Sequence, residues 1–205
     1  KVFERYELRD STKWNDHFWK ARRDGHSSIR SPIIPEFAEQ TALLRKLLQV
    51  YQLTFIAEIV CSPEATDGNQ PRPTIAACAA EVRKQMTLAA QCEAVCAVVT
   101  VDGAAWWAPN ACVKALRAVE EVAADVGVPV LHSTSSRGLL SSPWSYRSVL
   151  ASVPKARLSV CFASLCRASG RCFDAAGADA CWWPQALDLI TTRAGALDIA
   201  FDHSL

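Results

Sequence analysis

The sequence predicts an α/β fold, a parallel sheet of about six strands in barrel form covered by helices. Three observations predict it. Short, almost wholly apolar runs recur along the chain, stretches with helical spacing separate them, and no glycine-rich phosphate loop follows the first run. Uniformly apolar strands are buried on both faces, and a parallel crossover needs a dozen or more residues, which the intervening helices supply. The missing phosphate loop leaves a dinucleotide-binding open sheet without support, so a barrel is preferred.

Residues 1–24 mix Trp14, Phe18 and Trp19 with Lys20, Arg22 and Arg23, and are expected to form an N-terminal arm leading into a short helix. The barrel is expected over 25–205. A β-like run at 28–34 ends at Pro35, and Phe37, Leu43, Leu44, Leu47 and Leu48 then recur at helical spacing over 36–51. Residues 53–60 read as a doubly buried strand, 62–73 as a Pro, Gly and Asn loop, and 74–93 as a helix. Residues 94–101 repeat the strand signal, and 109–126 form a helix with Pro near its start and Gly127 at its end. Strands are expected again at 128–131, 157–162 and 197–201, with helices at 143–153 and 182–193.

Charge and cysteine usage narrow the function classes. A formal net charge of +1 provides no basic field for nucleic acid, and no apolar run reaches the roughly 18 residues of a membrane span. Nine cysteines without a CxxC pair suit buried free thiols in a reducing compartment: cytoplasm, mitochondrial matrix or plastid stroma. Opening at Lys1 rather than Met fits either organellar processing or trimming.

The segment Gly127-Val128-Pro129-Val130-Leu131-His132-Ser133-Thr134, continuing to Ser142-Pro143-Trp144, resembles the fourth strand and following loop of xylose-isomerase-like TIM-barrel sugar isomerases and epimerases. Residues 154–162 resemble the fifth strand of that family and 99–106 the third. The resemblance implies a divalent metal, held by carboxylates and histidine at the C-terminal rim, that polarises a sugar carbonyl while a proton or hydride moves. It also implies that this chain has lost the ligands. Ser133 stands at the family's metal-binding Glu and Cys161 at its Asp. Ala200 stands at a ligand His, Val101 at the strand-three His, and Ser164 at a substrate contact. A neutral hydroxyl replaces neither a carboxylate ligand nor a base near neutral pH. The last ligand, a Glu on strand eight, is expected beyond residue 205.

Four residues remain as weak catalytic candidates. Glu58 is a carboxylate on an apolar strand that needs a partner. Asp102 follows strand three, His132 ends strand four, and Arg137 could hold a phosphate or carboxylate. Against each stands a plainer role, as a strand-end hydrogen bond or a solvated loop charge. Cys166, Cys172 and Cys181 with His203 match no zinc spacing, and the pairs Trp106-Trp107 and Trp182-Trp183 read as packing or interface anchors. Cys92 and Cys96 read as small buried residues.

Six strands leave a barrel with two edges that need cover from the arm, a partner chain or further residues. The expectation is therefore a pseudoenzyme barrel with no resident cofactor, serving as a scaffold or accessory subunit beside protein partners, without nucleic acid or a membrane span. Two alternatives stay open: a metal-dependent isomerase or epimerase with an altered site, and a sugar-binding pseudoenzyme.

Overall fold

The computed structural model describes residues 3–6, 8–35, 37–61, 74–101, 108–133, 151–161 and 194–198. Within them, seven strands form one sheet in chain order: β1 (Phe3–Arg5), β2 (Ser28–Pro32), β3 (Thr54–Cys61), β4 (Cys96–Val101), β5 (Val130–Ser133), β6 (Leu158–Cys161) and β7 (Ala194–Asp198). Every adjacent pair is parallel. Four helices accompany them: α1 (Trp14–Arg23), α2 (Phe37–Tyr51), α3 (Ile75–Gln91) and α4 (Pro109–Val126).

The segment expected as an arm is built into the sheet. β1 pairs with β2 through Phe3↔Ser28 and Arg5↔Arg30, and α1 packs on α2. The described strands therefore number seven rather than six. Trp14, Phe18 and Ala21 of α1 are fully buried, at the i, i+4 and i+7 spacing of a helix face. Trp14 lies edge-on to Phe37 of α2 at 5.4 Å, and its Nε1 donates to the Leu8 carbonyl at 3.1 Å. The last strand lies at Ala194–Asp198, three residues ahead of its expected start.

The central helices begin and end where local chemistry directs. Thr74 Oγ1 accepts the Ala77 N–H at 3.1 Å and caps α3, while Pro109 opens α4 where its missing donor costs nothing. Gly127 ends α4 in the left-handed region at φ 79°, a conformation strained for any residue with a side chain. α4 buries Cys112, Ala115, Leu116, Val119, Val122 and Ala123 along one stripe, and packs on α3 and β5. No described helix is long and apolar enough to cross a membrane.

The register sorts the two faces of the sheet, because paired residues in a parallel ladder share a face and neighbours alternate. Phe55, Ala57, Ile59 and Cys61 of β3, in register with Ala97, Val99 and Val101 of β4 at the last positions, join the helix-facing core. The opposite, inner face carries Arg30, Ile56, Glu58, Val60, Val98, Leu131, Ser133 and Ser159. The expected helices at 182–193 and, apart from its last three positions, at 143–153 lie outside the described residues.

Candidate functional site

A barrel of this kind keeps its chemistry at the C-terminal ends of its strands, above the side chains that fill its inner face. Two pairs of polar groups on the described inner face are engaged with one another. Glu58, in the middle of β3, is 5% exposed, and its Oε1 lies 2.5 Å from Nε of Arg30 on β2. Pro32 and Val98 stand beside Glu58 in register, so apolar side chains flank the ion pair. Toward the N-terminal end of the strands, Ser28 Oγ and Thr54 Oγ1 share a hydrogen bond of 2.7 Å. The buried carboxylate noted in the sequence has its compensating cation, as a carboxylate in a low-dielectric site requires.

His132 faces the other way. Its pairing with Val99 places it on the helix-facing side, where it is 3% exposed and its Nε2 lies 2.9 Å from Glu120 Oε1 on α4. The pair ties the end of β5 to the helix covering it and sits away from the inner face. Replacing His132 with leucine is expected to lower the unfolding free energy by about 1–3 kcal/mol, since the half-buried Glu120 loses its buried partner. Chemical denaturation of the two proteins measures it. A cost near zero would release His132 from this structural role.

The family positions named from the resemblance divide three ways. Ser133 is on the inner face at the end of β5, in register with the buried Ser159 of β6. Val101 is 4% exposed within the helix-facing core, so a histidine at this position would point between sheet and helices. Cys161 ends β6 in register with Asp198 of β7. Ser164, Ala200, Asp102 and Arg137 lie outside the described residues, as do Cys166, Cys172, Cys181, His203, Trp106-Trp107 and Trp182-Trp183.

Residues able to hold the divalent metal implied by the resemblance do not converge among those described. No group of three or more His, Cys, Asp or Glu side chains there could hold an ion. Ser133 offers a neutral hydroxyl, His132 is committed to Glu120, and Glu58 is committed to Arg30. The described residues do not fit the metal. Sequence reasoning missed Arg30 altogether. Its only signal was a single charge inside the run at 28–34, which a carboxylate on the next strand answers.

No family model matches the chain, and no curated protein matches it. Solved structures do. The probable 3-DHS dehydratase AsbF from Bacillus anthracis superposes with a TM-score of 0.65 at 10% identity, covering 96% of this chain and 72% of that one. A D-allulose 3-epimerase from Methylomonas sp., in complex with D-allulose, gives a TM-score of 0.63 at 17% identity, with 98% and 84% covered. An AP endonuclease of family 2 from Brucella melitensis gives 0.59 at 11% identity, with 97% and 92% covered. The chain thus shares the α/β TIM-barrel fold of these structures, the fold class expected from its alternation of strands and helices. At these identities the fold is what is shared, and the chemistry of the neighbours remains theirs.

Proposed function

We propose that this chain is a non-catalytic isomerase-like barrel, retained for its shape as an accessory or scaffold subunit of a larger assembly in a reducing intracellular compartment. The observation that carries the reading is the Arg30–Glu58 pair. The carboxylate on the inner face of β3 is already neutralised by a cation from β2, and the positions in register with it are Pro32 and Val98. A general base must be free to reach a substrate proton, and a metal ligand must direct a lone pair at the ion. Glu58 in this pairing is placed for neither.

The neighbouring positions agree. Leu131 and Ser133 on β5 and Ser159 on β6 add one apolar group and two hydroxyls to the inner face, and hydroxyls bind water or backbone without titrating near neutral pH. β1 and β7 are the terminal strands of the described sheet, and a partner subunit covering them would account for such a barrel in an assembly.

The test is the native mass of the protein purified from its source, together with its elemental metal content. A mass well above the 22.4 kDa of the chain, without stoichiometric Mn, Mg or Zn, is the expected result. A free monomer carrying a stoichiometric divalent metal would overturn the reading in favour of an isomerase or epimerase with relocated ligands. A metal-free monomer whose melting temperature rises with a ketose would favour the sugar-binding pseudoenzyme instead.

A further inference from the structure

Cys61 is the last residue of β3 and Cys78 lies in the first turn of α3, 17 positions further on. Both face the helix–sheet core, at 2% and 3% exposure. Cys61 Sγ donates to the Cys78 carbonyl oxygen at 3.8 Å. Two elements packed face to face therefore bring a pair of free thiols into contact. The other described core thiols differ. Cys92 on the C-terminal side of α3 and Cys112 on α4 are each pushed up mainly by burial, Cys92 to about 11.

We propose that Cys61 and Cys78 form a reversible dithiol–disulfide site, oxidised by a low-molecular-weight disulfide of the glutathione type. The roles follow from the asymmetry of the contact. The neighbouring Cys61 side chain holds the Cys78 thiol below its ordinary range. The same contact, reinforced by burial, pushes Cys61 up. Cys78 also sits next to the N-terminal end of a helix, where a thiolate is favoured.

In the first step the Cys78 thiolate attacks one sulfur of glutathione disulfide. A protein–glutathione bond forms, the glutathione S–S bond breaks, and one glutathione thiolate leaves. In the second step the Cys61 sulfur gives its proton to the departing glutathione and attacks Cys78 Sγ. The Cys61–Cys78 bond forms and the second glutathione departs as thiol. Two protein thiols are oxidised and one glutathione disulfide is reduced to two thiols. Access comes through opening of the first turn of α3, since helix ends open more readily than sheet strands. The product would lock the end of β3 to the start of α3.

The test equilibrates the full chain with glutathione disulfide under native conditions, blocks remaining thiols with iodoacetamide, cleaves at Glu64 between the two cysteines, and analyses the peptides without reduction. The expected result is one dominant cross-linked pair joining Cys61 and Cys78 and lost on treatment with dithiothreitol, with Cys92 and Cys112 alkylated as thiols. In Cys78→Ser, Cys61 is expected to remain alkylatable. Recovery of Cys61 and Cys78 as alkylated thiols, or oxidation of Cys92 and Cys112 to the same extent, would overturn the proposal. So would a cross-link that forms only in denaturant.

Discussion

Truncating Glu58 to alanine is expected to lower the unfolding free energy by about 3–5 kcal/mol, because the Arg30 guanidinium keeps its buried site and loses its carboxylate. Both side chains are nearly buried, at 11% and 6% exposure, so solvent screens the interaction little. The cost arises from an uncompensated charge rather than from lost volume. Replacing both residues together, Arg30→Met with Glu58→Leu, is accordingly expected to come within about 1 kcal/mol of the native protein. Urea denaturation of the native protein, the two single variants and the double variant forms a double-mutant cycle that isolates the pair. A single variant as stable as the native protein would mean that Glu58 is not committed to Arg30. The inner face would then hold an available carboxylate, and the non-catalytic reading would lose its main support.

Replacing Trp14 with alanine is expected to cost about 3–5 kcal/mol, the range for removing a buried aromatic and leaving a cavity behind. The indole is fully buried, stacks edge-on against Phe37 and donates to Leu8. Trp19, five residues along the same helix, is 52% exposed with Arg23 lying over its ring at 4.9 Å, and its replacement is expected to change stability by no more than about 0.5 kcal/mol. The midpoint of urea unfolding followed by far-ultraviolet circular dichroism reads both. If Trp14→Ala unfolded at the native midpoint, residues 1–24 would behave as an appended arm rather than as the first strand and helix of the sheet.

Glu58 and Trp14 show where the one-dimensional pattern stops. Trp14, Phe18 and Ala21 already stood at helix spacing, and that signal could have moved the segment from arm to barrel. The strand before them could not be found in the same way. Phe3–Arg5 is three residues long with two charges, and becomes a strand only because β2 presents a ladder for it to join. At Glu58 the difficulty was direction. Both faces of β3 are largely apolar, so alternation did not reveal which positions look toward the helices, and the partner lay 28 positions away on another strand. His132 suffered the same ambiguity: the residue after an apolar strand core reads equally well as a mouth residue or as a helix-facing one, and its pairing with Val99 decides.

The sequence by itself determined the alternation of strands and helices, the parallel order of the sheet, and helices α2, α3 and α4 to within two residues. These features rest on local signals: apolar runs, helical spacing, a proline at a helix start and a glycine at a helix end. Tertiary structure alone decided that residues 3–5 join the sheet, that Arg30 answers Glu58, that His132 answers Glu120, and that Cys61 meets Cys78. Each of these is a contact between elements distant along the chain. Its existence depends on register and strand twist, which set the face each side chain occupies, and on helix packing, which sets what it meets there.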